Sequence, residues 1–163
     1  MSHLDVLKNP NKELRVKSRD VSVEDILSSN MQALVDNMIE TMVAENGVGL
    51  AAPQVNEHVR LIVCDTGHKT EAFFNPVIIK TSNRSIDSEE GCLSIPDVYG
   101  IVKRHKSVKV EAFNRAGKPV TIKTGGLLAI IFQHEIDHLN GVLFIDRAHK
   151  IDQITPEKAE SLI

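Results

Sequence analysis

The chain has 163 residues, 42% of them hydrophobic and 25% charged, with 19 Lys and Arg against 22 Asp and Glu for a formal net charge of −3. This size and mixture read as one globular domain over residues 1–163, not a disordered chain, and the slightly acidic balance gives no reason to expect a direct nucleic-acid partner. Two cysteines, Cys64 and Cys92, are too few for a disulfide scaffold and suggest a reducing compartment; no stretch has the ~20 apolar residues that cross a bilayer, nor the apolar core of a signal peptide.

In chain order, the first twenty residues read as an extended lead-in with a turn at Asn9-Pro10-Asn11. From about Ser29 to Glu45, Met31, Leu34, Val35, Met38, Ile39 and Met42 recur at helical spacing, with Ser28 or Ser29 as cap and Asn46-Gly47 as stop. The methionines of this stripe are core residues. Val59 to Cys64 is a compact apolar run that reads as a strand, with Cys64 a small core side chain. Phe73 to Ile79 reads as another, interrupted at Asn75-Pro76 as an edge strand or a bulge would be. Lys103, Arg104, His105 and Lys106 form a short basic run that by itself reads as the solvated start of a strand. Val108 to Phe113 alternates apolar and polar side chains, Asn114 to Gly117 is a hairpin loop, and Pro119 to Lys123 is the returning arm. Gly125-Gly126 introduces a second helix, Leu127 to about Asn140, closed by Gly141. Leu127, Leu128, Ile130, Ile131 and Phe132 make it apolar on most sides, which places it inside the domain. Thr155-Pro156-Glu157 has the form of a further helix start. The sum is an α+β fold of antiparallel strands packed around a buried central helix.

That helix carries the chemistry. His134-Glu135-Ile136-Asp137-His138 is an H-E-x-x-H pattern, and positions four apart on an α-helix share a face, so both imidazoles can reach one metal ion. Glu135 is placed to handle the proton of a water the metal activates. A third protein donor is still needed. Asp146 and His149 lie downstream, but Phe144 stands where the longer H-E-x-x-H-x-x-G-x-x-H pattern requires histidine. Upstream, Cys92 in Glu89-Glu90-Gly91-Cys92-Leu93-Ser94-Ile95-Pro96 is the strongest candidate, because a cation deprotonates a thiol outright and Gly91 permits close backbone approach. A further segment, Gly47-Val48-Gly49-Leu50-Ala51-Ala52-Pro53-Gln54, suits close approach to a ligand or a neighbouring strand and lacks the pattern of a phosphate loop.

Together the three segments resemble the peptide deformylase family. Gly47 to Gln54 is similar to its G-x-G-[IL]-A-A-x-Q motif, Glu90 to Ser94 to its E-G-C-L-S motif, and Gln133 to His138 to its Q-H-E-x-x-H motif, in order from about Pro10 to Asp146. The resemblance implies that Cys92, His134 and His138 bind one divalent metal ion, ferrous iron as the working ion with zinc or nickel able to occupy the same ligands. It implies Glu135 as general base and acid, and the Gln54 amide and Leu93 backbone N–H as oxyanion donors. Glu90 would pair with Arg104 to hold the Cys92 loop. Val48, Leu127, Ile130 and Ile131 would line a methionine pocket, while Gly49 and Gly91 hydrogen-bond the peptide as an added strand. The implied activity is metal-dependent removal of the N-formyl group from N-formylmethionyl peptides of nascent proteins, releasing formate. The implied setting is a cytoplasmic monomer, with transient ribosome association and no membrane partner.

Asp97, where many members carry glycine, Tyr99, where some carry arginine, and a short C-terminal tail depart from the family's commonest pattern. They bear on substrate length and efficiency. Two other readings of the residues are an H-E-x-x-H endopeptidase and a non-catalytic metal-stabilised binding domain.

Overall fold

The computed structural model describes residues 3–153. Its helices are α1 (Val23–Ile26), α2 (Ser29–Ala44), α3 (Gly126–Leu139) and α4 (Phe144–Arg147). The strands are β1 (Gly49–Ala51), β2 (Leu61–Asp65), β3 (Thr70–Thr81), β4 (Ser85–Cys92), β5 (Ile95–His105), β6 (Ser107–Phe113), β7 (Pro119–Gly125) and β8 (Lys150–Gln153). They form two antiparallel sheets, ordered β1-β2-β3-β6-β7 and β4-β5-β8. The expected helix start at Thr155-Pro156-Glu157 lies outside the described residues.

The larger sheet is covered on both faces. Successive side chains of a strand point to opposite sides, so Leu61, Val63 and Phe74 pack with Val35, Met38 and Met42 of α2. Ile62, Cys64, Phe73 and Val110 pack instead with Ala129, Phe132 and Ile136 of α3. This is why β2 reads as an unbroken apolar run and why Cys64 is buried. Phe132 meets Phe73 edge-on with centroids 5.0 Å apart; burying such a ring contributes roughly 1.5–3 kcal/mol. At the start of α2, Ser28 Oγ accepts the Met31 N–H at 3.3 Å, as its N-cap position requires.

The interruption at Asn75-Pro76 is a bulge, but the strand is not an edge. β3 runs between β2 and β6, and its register with β6 shifts between Phe74 and Val77. Asn75 takes φ +49, and its amide accepts from the Val21 N–H and donates to the Val21 carbonyl, each at 2.8 Å. The proline's missing donor therefore falls where the ladder is already broken.

The smaller sheet corrects the reading of the basic run. Residues 103–106 belong mostly to β5, where alternation turns Lys103 and His105 outward and Arg104 inward; Arg104 is 4% exposed. β4 and β5 form a hairpin in which Cys92 pairs with Ile95, leaving Leu93 and Ser94 at the tip.

The central helix ends in a left-handed glycine cap. Gly141 has φ +72, its N–H donates to the His138 carbonyl at 3.0 Å, and the Val142 N–H donates to Asp137 at 2.9 Å. A Cβ at Gly141 would lie 2.3 Å from the Arg15 carbonyl oxygen, because the N-terminal segment crosses this helix end at backbone distance. Gly141→Ala should destabilise the fold by more than about 1 kcal/mol. A denaturant midpoint equal to that of the wild type would refute it.

Candidate active site

Three donors on two elements converge. The ligand atoms of Cys92, His134 and His138 all lie within 4.8 Å of one another, with Cys92 Sγ 3.2 Å from His138 Nε2. Cys92 comes from the end of β4 and both histidines from one face of α3. The donor set fits a divalent cation. His134 Nδ1 is 2.9 Å from Glu90 Oε2, so its Nδ1–H is spent on the carboxylate and Nε2 is left as the ligand nitrogen. Burial opposes a charge on His134, but hydrogen bonds to Cys92 and Glu90 prevail and push it up to about 10. A bound cation would take the place of that proton. Burial and the charge of His134 push His138 well down, keeping its ring neutral, the form in which imidazole binds metals.

Charged residues behind His134 hold it. Arg104 Nε and a terminal nitrogen grip Glu90 at 2.7 and 2.9 Å, and its other terminal nitrogen donates to Asp137 at 2.7 Å. Arg147 donates to Asp137 from the outer side at 2.9 Å. Burial weighs against the Glu90 carboxylate, yet hydrogen bonds from Arg104 and His134 hold it below the usual range. The resemblance pairs Glu90 with Arg104 and implies no role for Asp137, Arg147 or Gln133. Gln133 donates to the His105 carbonyl at 3.0 Å and accepts the His105 N–H at 2.9 Å, tying α3 to β5. The only signal for Asp137 is an acidic residue inside a helix otherwise patterned for burial.

Glu135 sits on the helix face turned towards the cavity, 4% exposed, and its Oε2 has no hydrogen-bond partner. Gly49 is what makes room for it: a Cβ there would lie 2.4 Å from Glu135 Oε1. Burial, with the charge of His134 opposing, pushes its carboxyl from the ordinary 4.5 up to about 7. In metal-free protein the native state therefore keeps a proton that the unfolded chain has lost, so stability falls as pH rises from 4.5 to about 7. The melting temperature of metal-free wild type should drop relative to Glu135→Gln across that window and run parallel to it above. A gap independent of pH would contradict the raised value.

Gln54 is oriented by its neighbours. Its Oε1 accepts the Ala51 N–H at 2.9 Å, so Nε2 projects to Ser94 Oγ at 3.1 Å and Cys92 Sγ at 3.6 Å. A cavity of about 460 Å³ opens here, lined by Val48, Gly49, Gln54, Glu90, Gly91, Cys92, Leu93, Leu127, Ile130, Ile131, His134 and Glu135. Arg104 and His138 lie behind this wall. β1 and β4 are each the outermost strand of their sheet, and Gly49 and Gly91 put both unpaired edges on the cavity. Val48 and Leu127, 47% and 64% exposed, give it an apolar mouth.

Asp146 and His149 do not reach the cluster. Asp146 is bound to Arg15 and caps the Leu143 N–H, while His149 is exposed beside Asp87. Phe144 stacks on His134, centroids 6.2 Å apart, in place of a donor. Asp97 takes φ +62, the left-handed conformation that glycine adopts freely. Tyr99 packs over Gly91, where a Cβ would lie 3.0 Å from its ring.

The sequence profile of the polypeptide deformylase family matches residues 3–154. Peptide deformylase 2 of Vibrio cholerae is 43% identical over 157 residues, covering 94% of this chain and 90% of that protein. The peptide deformylase of Halothermothrix orenii is 46% identical, covering 94% of this chain and 98% of its own length. Among solved structures, the class I type b peptide deformylase of Acinetobacter baumannii superposes with a TM-score of 0.88 at 38% identity, over 90% of this chain and 100% of that one. The same enzyme with Met-Ala-Ser bound gives 0.85 at 36% identity, covering 90% and 98%.

Proposed function

This chain belongs to the polypeptide deformylase family, and from that premise we propose that it removes the formyl group from N-formylmethionyl peptides, releasing formate and a free amino terminus. The observation that carries the reading is the convergence of Cys92, His134 and His138 on one point beside a buried carboxylate that has no partner. A divalent cation held by these three would supply Lewis-acid polarisation and acidify a water at neutral pH. Ferrous iron is the proposed native ion, with zinc or nickel as substitutes; the thiolate suits all three.

The chain's own groups do the rest. Glu135 takes the proton of the attacking water and returns it to the amine as the formyl C–N bond breaks. The Gln54 amide and the Leu93 N–H, which has no acceptor among the described residues, are aimed at the oxygen where negative charge develops. Gly49 and Gly91 offer backbone groups to an extended peptide, and Val48, Leu127, Ile130 and Ile131 take the methionine side chain. Glu90 and Arg104 keep the His134 ring and the Cys92 loop in register. We place the activity in a single monomeric domain of a reducing, cytoplasmic compartment, a setting supported by two free thiols of which one is a ligand. No helix among the described residues is long and apolar enough to cross a membrane. Transient contact with the ribosome is the proposed route to nascent substrates.

The test is direct. Anaerobic protein loaded with ferrous iron, given a formyl-Met tripeptide, should release one formate for each new amine. Metal bound with no formate released would overturn the reading.

A further inference from the structure

We infer that Lys8 is a positioning residue for the oxyanion side of the cleft, and that the N-terminal segment is thereby part of the catalytic machinery. The inference rests on the proposed roles of Gln54 and Leu93. Leu93 and Ser94 form the tip of the β4–β5 hairpin, beyond the last ladder pair Cys92 and Ile95, so their carbonyls have no strand partner. Both are bound from outside. Lys8 Nζ donates to the Leu93 carbonyl at 2.6 Å, and the Asn9 N–H donates to the Ser94 carbonyl at 2.8 Å. One residue earlier, the Leu7 N–H donates to the Gln54 carbonyl at 2.7 Å. Three consecutive residues thus hold the backbone of both proposed oxyanion donors, and Gln54 Nε2 on Ser94 Oγ closes the loop at 3.1 Å.

Leu7 and Asn9 act through backbone, which any side chain would provide. Lys8 alone acts through its side chain, and it also lines the cavity. An ammonium bound to a carbonyl is a charge-assisted hydrogen bond, stronger than a neutral one. It fixes the Leu93–Ser94 peptide plane and, with Cys92 held in the ladder on the other side, limits how far the adjoining Leu93 N–H can swing. Transition-state donors must be held within about 0.5 Å of their productive place. A tip free to rock loses part of what the donor contributes without losing the peptide's binding groups on β1 and β4.

Lys8→Met tests this, with Lys8→Arg as the conservative variant and iron-loaded wild type as reference. We expect kcat to fall about tenfold in K8M, a fraction of the ~10²–10³ that removing a whole donor costs. KM, iron content and melting temperature should stay at wild-type values, and K8R should recover most of kcat. Independently of turnover, amide hydrogen exchange across residues 92–95 should quicken about tenfold in K8M, return in K8R, and be unchanged in α3. Unchanged exchange across 92–95, a kcat within twofold of wild type, or a loss carried by KM would overturn the inference. Wild type that releases no formate would overturn the proposed activity, and the exchange result would still decide whether Lys8 holds the tip.

Discussion

Glu135→Gln should lower formate release by about 10²–10⁴-fold while iron content stays at one per chain. The substitution keeps shape and volume and removes the titratable carboxylate, its charge together with its ability to take up a proton. Its effect is read cleanly because Glu135 makes no hydrogen bond through Oε2 and is not among the three converging donors. Of the other carboxylates lining the cavity, Glu89 and Asp97 are exposed and Glu45 pairs with His3, whereas Glu135 stands on the ligand helix between the two histidines. Glu90 is committed to Arg104 and His134, and the imidazoles are committed as ligands. Loss of turnover with loss of iron would recast Glu135 as part of the ligand shell; turnover within a few-fold of wild type would remove it from the reaction.

Arg104→Met should destabilise the protein by about 3–5 kcal/mol and weaken metal binding by about 10–100-fold. The arginine is enclosed and serves Glu90 through two nitrogens and Asp137 through a third. Without it, two buried carboxylates face one another with only Arg147, half in solvent, and the ring of His134 to offset them. Glu90 would then draw a proton or turn away, and in either case His134 loses the acceptor that fixes its tautomer. Denaturant unfolding in the presence and absence of metal separates the two effects. A variant with wild-type stability and affinity would show that the buried network is incidental.

Features set by local pattern were legible in the sequence. The α2 stripe, the β6–β7 hairpin, the ligand helix and its glycine cap follow from residue spacing and turn chemistry, and the structure has them close to the expected limits. The α+β arrangement of antiparallel strands around a buried helix follows from the same pattern. What was not legible depends on contacts between distant segments. β4 and β5 carry Asp87, Glu89, Lys103 and His105 on their solvent side, so charge masks the alternation that buries Ser88, Glu90, Val102 and Arg104. By local pattern alone Arg104 reads as a surface cation; only the family resemblance pairs it with Glu90, and nothing in the sequence joins it to Asp137 on α3. At Asn75-Pro76 the residues alone leave an edge strand and a bulge open, and the contact of Asn75 with Val21 shows it to be an anchored bulge in an interior strand. The short 3-10 turn at Lys12–Arg15 and the one-turn α1 leave no periodic signal. Within the site, residue chemistry put Cys92 forward as the third ligand, and the motif resemblance added Gln54 and Leu93, which spacing alone could not join to the helix. Lys8 and Arg147 belong to no motif and Asp137 fills an unspecified position of H-E-x-x-H, so only geometry reveals their contacts.

The most direct test of the whole account is X-ray absorption at the metal edge of protein carrying one ion per chain, for wild type and Cys92→Ser. The account predicts a single sulfur together with imidazole nitrogens in wild type, and no sulfur in the variant. A wild-type spectrum without sulfur, or one unaltered in C92S, would contradict it.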